Sequence, residues 1–385
     1  MPHLRLIILH LMSTVGQLAR EEDTWNMSTR SPRLRTAATR LLAIELPIVL
    51  APFGGLSSVE LTAAVSEKGG LGSYGLYGYD ADRIAVTARE LSGSTTKPYA
   101  LNLWLPHGGS EEIQSTDQEF AEYLKPLRPY FDQLHLPVPT RPATYLPRFD
   151  EQIAAVFAAR PPVLSFVFGI PPAHVLDRAH ELGIVVIGTA TTVDEAVALD
   201  AAGVDAIVTT GAEAGGHRVS FLRQPEDSLI GTLALVPQVV DAVSVPVIAA
   251  GGIVDGRGLA AAMVLGAGAA QIGSAFLATR QSAAAPAYRT ALTSESARHT
   301  ILTRALSGRL ARGIPNRITH ELGSENIAPF PIQNWLTGRF RPTAAERGIA
   351  DLMSLWAGQA APLIRHSDAQ HLVDALIAEA DSLLG

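Results

Sequence analysis

Residues 245–275 read VPVIAAGGIVDGRGLAAAMVLGAGAAQIGSA, and this stretch decides the fold. It opens with a short apolar run, Val245 to Ala250, and closes with another, Ala270 to Ala275; between them Gly258 to Leu265 carries helical periodicity, and Gly266 ends it. Both runs are apolar nearly throughout, as strands covered on both faces are. A strand, a Gly-rich turn, a helix and a second strand make one repeating unit of a parallel sheet. The uncharged span Leu259 to Ala278 has the length of a membrane helix. Gly266-Ala-Gly268 splits it, however, and Gln271 and Ser274 are polar, so it reads as a buried helix, a turn and a strand.

The same unit recurs upstream. Further strands are expected at Pro47 to Phe53, Gly70 to Tyr74, Tyr99 to Trp104, Val163 to Phe168, Val185 to Thr189 and Ala206 to Thr210, bringing the total to eight. Helical stretches lie between them at Ser58 to Lys68, Ala81 to Leu91, Glu151 to Ala159, Pro172 to Leu182, Thr192 to Ala202 and Leu229 to Ala242. Capping chemistry supports several of them, with Thr191-Thr192 before Asp194-Glu195 and Gly183 and Gly203 at helix ends. The expected fold is α/β, a (β/α)8 TIM barrel with a long insert after strand 3 and a helical C-terminal extension. A doubly wound open sheet stays open as the rival, because strand order is not written in one sequence. By domain, residues 1–40 read as a loose extension, 41–280 as the barrel, and 281–385 as a helical region packed on or capping it. The helical periods of that last region run over Ala284 to Leu292, Ala344 to Trp356 and Ala369 to Leu384. The inserts 105–150 and 211–228 follow strand ends, which places them on the face where barrels build active sites.

Composition narrows the function. Hydrophobic residues make up 47% and charged ones 17% of the 385, enough apolar material for a core and too little charge for a disordered chain. A net charge of −7 argues against a general nucleic-acid binder. Cysteine is absent, which removes disulfides, thiolate nucleophiles, iron–sulfur clusters and Cys-type zinc sites, and makes a cytoplasmic location the default. The apolar run Leu6 to Leu9 is interrupted by His10 and followed by Glu21-Glu22-Asp23, which does not suit a signal peptide; Met27 is an alternative start. There is no phosphate-binding Gly-Lys-Ser/Thr run and no His-Glu-x-x-His, and no pair of His has metal-ligand spacing. Gly70 to Gly75 matches G-x-G-x-x-G formally, but it follows a helical pattern instead of a strand, and so counts as chance.

Three places carry chemistry. Gly251-Gly252 and Gln271-Ile272-Gly273-Ser274 end the seventh and eighth strands, where backbone N–H groups of a barrel receive phosphate; two tight turns is the plainer reading. His217 follows Gly215-Gly216 after the sixth strand, and can serve there as a base, as an anion partner when protonated, or as a loop residue only. Asn102 lies inside the apolar third strand, where its amide must be bonded either to a ligand heterocycle or to neighbouring backbone.

From about Pro47 to Gln359 the chain resembles the nitronate monooxygenases. The resemblance rests on Pro47 to Gly55, Ser66 to Gly72, Asn102, Ser165 to Pro171, Glu213 to Arg218, Leu235 to Val239, Pro246 to Arg257, Gln271 to Ser274, Ser307 to Arg309 with Ala311 to Ile314, and Trp356 to Gln359. It implies an FMN-containing barrel that oxidises alkyl nitronates or nitroalkanes with O2 to a carbonyl compound and nitrite. The cofactor set it implies is Phe53, Gly54, Asn102, Thr210, Gly215, Gly216, Gly251, Gly252, Gln271, Ile272, Gly273 and Ser274, with His217 as the active-site base or anion-binding residue. Nucleic acid, membrane and metal have no part in this reading, and a homodimer is left open. The family pattern has Gln at Thr210, Thr at Ser274 and usually Gly at Val219; these departures bear on the substrate more than on the cofactor. The rivals are an FMN-dependent, NAD(P)H-using enoyl-acyl-carrier-protein reductase and a non-catalytic flavin-binding module.

Overall fold

Eight strands form one parallel sheet: β1 (Ile48–Leu50), β2 (Gly72–Gly75), β3 (Tyr99–Trp104), β4 (Val163–Val167), β5 (Val185–Ala190), β6 (Ala206–Thr210), β7 (Val247–Ala250) and β8 (Ala269–Ile272). Their spatial order is β1-β8-β7-β6-β5-β4-β3-β2, and the parallel bridge between Val49 and Leu71 joins the two edges. Sequential order with closure is a barrel, and it removes the doubly wound alternative. The computed structural model describes residues 34–110, 112–323 and 327–385. The readings made on the first 33 residues, Met27 among them, lie outside the described residues.

Inward-facing Val49, Leu71, Ala100, Val163, Ile187, Val208 and Ile248 pack as one cluster inside the barrel. The short helix Ala37–Leu41, capped by Thr36, adds Ala38 to this floor, and Thr36 Oγ1 donates to Gly268 O at 2.6 Å. The N-terminal end of the barrel is therefore filled. Outward residues such as Leu101, Leu103, Leu164, Phe166, Val186 and Ile207 pack under the surrounding helices, each contributing about 1.5–3 kcal/mol of burial.

All eight expected strands are present, with shorter ends. The eighth stops at Ile272 rather than Ala275 because Ser274 begins the helix Ser274–Leu277. The uncharged span after Leu259 is accordingly helix, strand and helix, and no helix among the described residues is long and apolar enough to cross a membrane. The insert after β3 carries the helices Asp117–Leu124 and Arg128–Gln133, which bury Phe120, Leu124 and Phe131 in a second core shared with Tyr288, Leu336 and Phe340.

Two features of the C-terminal region differ from expectation. The helical period at Ala344 to Trp356 yields only Arg341–Glu346 and a single turn at Ala350–Leu352, because the chain reverses at Gly348, where φ is +67°. The strands Ile301–Thr303 and Ala311–Gly313 form an antiparallel ribbon that pairs with Gly216–His217. The final helix, Ala369–Leu384, returns to the barrel: Gly256 N–H donates to Glu379 Oε2 at 2.8 Å, and Lys68 Nζ to Asp374 Oδ2 at 2.7 Å. Those contacts seat it between the helices Gly256–Val264 and Val59–Glu67.

Candidate active site

The C-terminal ends of β3, β6, β7 and β8 supply Asn102, Thr210, Ala250 and Gln271 to the wall of a cavity of about 390 Å3. This lies in the size range of small-molecule and cofactor sites. Phe53 and Gly54 enter from the loop after β1, Gly215, Gly216 and His217 from the loop after β6, Gly251 and Gly252 from the loop after β7, and Gly273 and Ser274 from the loop after β8. Ile272 is the one residue of the expected set outside the lining: its side chain is fully buried, and its carbonyl accepts from Ala51 N–H at 3.0 Å.

The backbone N–H groups of Gly252, Gly273 and Ser274 donate to no protein acceptor among the described residues. Gly252 has φ +73°, a conformation that costs glycine little. Ser274 Oγ accepts from Gly358 N–H at 2.9 Å, which leaves its own proton for the cavity. Gly215 is required for a different reason: a Cβ there would stand 2.5 Å from Gly358 N, so any side chain would push the C-terminal segment off the site.

Asn102 is settled by register. It lies opposite Ser165 of β4, and its Nδ2 donates to Ser165 O at 3.2 Å and Ser165 Oγ at 3.0 Å. A carbonyl can only accept, so the amide nitrogen faces β4 and Oδ1 is the atom left for a ligand donor. The amide is bonded to the neighbouring strand, and only its oxygen faces the cavity for a ligand.

His217 is positioned by elements remote in sequence. Gly216–His217 pairs with Ala311 and Arg312, and His217 Nε2 lies 2.8 Å from Ser307 Oγ. Ser307 Oγ in turn donates to Arg309 O at 3.1 Å. With its only proton used there, Ser307 accepts from Nε2–H, and the lone pair of the imidazole sits on Nδ1. The rings of Trp104 and Trp356 lie 5.1 and 5.4 Å from the imidazole. Burial, with the positive charges of Arg309 and Arg341, pushes its pKa down to about 3. The site disfavours the imidazolium that anion binding by His217 would need. Positive charge comes instead from Arg341, which lines the cavity, and from Arg309, which lines a small neighbouring pocket behind Trp104; burial lowers both guanidiniums to about 10, so they stay charged at neutral pH. Neither has an ion-pair partner among the described residues. Arg309 lies between the rings of Phe168 and Phe330, at 4.1 and 3.9 Å from their centroids.

Arg218, beside His217, is structural: it is 1% exposed and donates to the carbonyls of Gly211, Thr210 and Ser228 at 2.6, 3.2 and 2.9 Å. Fully buried Glu195 accepts from Thr191 N, Thr191 Oγ1, Phe221 N and Leu222 N, tying the far end of the same loop to the loop after β5. Tyr77, Trp104, Asn334, Arg341 and Trp356 also line the cavity, and sequence reasoning did not select them. Ser307 and Arg309 fall within the segments carrying the family resemblance, but no local pattern marks either as part of a site.

Residues 35–379 match the nitronate monooxygenase family model. A probable nitronate monooxygenase of Staphylococcus saprophyticus is 38% identical over 357 residues, spanning 91% of this chain and 99% of the relative. One of Staphylococcus haemolyticus is 39% identical, spanning 90% and 97%. Among solved structures, a nitroalkane oxidase from Streptomyces ansochromogenes superposes with a TM-score of 0.81 at 38% identity, covering 91% of this chain and all of that one. FabK from Thermotoga maritima gives 0.71 at 28% identity, covering 91% and 97%. On the fold, the cavity at the strand ends and these likenesses, the chain belongs to the nitronate monooxygenase family.

Proposed function

We propose that the cavity binds FMN and oxidises small alkyl nitronates with O2 to a carbonyl compound and nitrite. The observation that carries this reading is one cavity that brings together a buried His217, the Arg341 guanidinium, which has no ion-pair partner among the described residues, and the free N–H groups of Gly252, Gly273 and Ser274. Those three N–H groups and the Ser274 hydroxyl suit a phosphate, and Asn102 Oδ1 suits an N–H of a flavin ring. Bound flavin would supply the electron acceptance that no side chain here can provide.

The chain's own residues then act on the substrate. Arg341 on the cavity wall, with the field of nearby Arg309 behind it, draws an anion into the cavity, while Trp104 and Trp356 keep water from its carbon end. An imidazole with a pKa near 3 is a weak base toward a neutral nitroalkane, so the site favours the preformed nitronate over its conjugate acid. His217 Nδ1 holds the lone pair that accepts a proton when the neutral form does react. The departures at Thr210 and Val219 both fall on the cavity wall, where they bear on which nitronate fits.

The test is an anaerobic spectrum of the purified protein, with ethyl nitronate added to one sample and NAD(P)H to another. Bleaching by nitronate alone supports the proposal, and kcat/KM for ethyl nitronate should exceed that for nitroethane. Reduction by NAD(P)H alone would transfer the assignment to an enoyl-acyl-carrier-protein reductase, and a yellow protein indifferent to both would make it a binding module.

A further inference from the structure

Tyr77 opens toward the cavity from the turn after β2, and its hydroxyl is oriented by a chain of bonds that fixes every donor. Arg341 donates through Nη2 to Asn334 Oδ1 at 2.8 Å and to Asn334 O at 3.2 Å. A guanidinium has no acceptor, so the Asn334 oxygen must face it and the amide nitrogen must face away. That nitrogen donates to Tyr77 Oη at 2.8 Å. Tyr77 Oη is thus an acceptor in its bond to the protein, and its own proton goes to no acceptor among the described residues. The Arg341 charge lies behind the chain, and Arg309 adds a second positive charge to the same region, as the fields of both on Tyr77 and on His217 show. Burial keeps the phenol protonated, with its pKa pushed up to about 12.

We propose that the Tyr77 hydroxyl, aimed by Asn334 and polarised by Arg341, is the hydrogen-bond donor that receives a small planar oxyanion, the NO2 end of a nitronate. Asn334 and Arg341 are positioning residues in this device: Asn334 bonds the Tyr77 hydroxyl, Arg341 fixes the orientation of Asn334, and together they set which way the Tyr77 proton points. A donor backed by fixed positive charge in a water-poor cavity binds a delocalised anion more strongly than the same donor in solvent. As an assignment of the substrate's anionic end, this rests on the function proposed above.

The probe is nitrate, a planar, unreactive stand-in for the NO2 group, titrated by calorimetry into the protein as purified, with no turnover required. Wild type should bind nitrate, and Tyr77→Phe, which removes only the hydroxyl, should weaken binding by about tenfold or more. Asn334→Asp is the sharper variant. Its carboxylate would accept the Tyr77 proton and neutralise Arg341, so nitrate binding should fall at least as far although the phenol is still present. A role confined to packing would leave binding intact in both. Wild type that does not bind nitrate, or either variant binding it as wild type does, overturns the proposal. If nitrate binds through Tyr77 but no nitronate is oxidised, the anion site stands and the proposed function falls. If nitronate is oxidised while Tyr77→Phe binds nitrate normally, the function stands and this site falls.

Discussion

At His217, burial and two guanidiniums act in one direction, and the consequence reaches beyond chemistry to stability. The unfolded chain takes up the imidazole proton near 6.5, whereas the native site takes it up only near 3. The stability that goes with the neutral ring is therefore complete above pH 6.5 and is lost as pH falls from there toward 3. Between pH 7 and 5 the wild type should lose about 1–2 kcal/mol more than His217→Asn, read as the difference in urea midpoints; parallel losses would show that His217 titrates normally. Removing one guanidinium tests the cause. Arg309→Met should raise the pKa of His217 and bring an acid limb into the pH profile of kcat/KM, where the wild type has none from this residue. The Gly215-Gly216-His217 run is legible as chemistry in the sequence, but the charge state of the ring is not. It depends on Arg309 and Arg341, about 90 and 120 residues away, and on burial that no local pattern encodes.

The loop that carries His217 is held as an element, at one end by Arg218 on three carbonyls and at the other by Glu195 on Thr191, Phe221 and Leu222. Glu195→Ala leaves those buried donors without an acceptor, each lost bond costing on the order of 1–3 kcal/mol. The cost should appear first in the loop. Trypsin should cut after Arg223, which is exposed, several-fold faster in the variant than in wild type, before any fall in the global melting temperature. Equal rates would mean the loop is held by other contacts. At this scale the barrel strands and helices are legible from their apolar runs and caps, because each is long enough to show a period. The ribbon that fixes His217 is not: Gly216–His217 is two residues long and its partner Ala311–Gly313 is three, too short for any alternation to register.

Across the whole molecule the decisive contact is between the two ends of the barrel sequence. The amphipathic period of Ala369 to Leu384 is plain in the sequence, but its place is not, because residues 273–368, short helices and the ribbon, separate it from β8. In the structure it fills the slot of the eighth barrel helix, with Leu372, Val373, Leu376 and Ile377 each 2% exposed or less. At about 1.5–3 kcal/mol for each such side chain, its removal exposes apolar surface worth on the order of the whole stability of a typical domain. Truncation after Asp368 should therefore abolish the cooperative unfolding transition seen by circular dichroism. The milder variant Glu379→Ala, which removes the acceptor of Gly256 N–H, should lower the melting temperature while leaving the transition cooperative. A truncated chain that melts like the full one would show the helix to be an appendage, and the ring of helices around this barrel would then close without it.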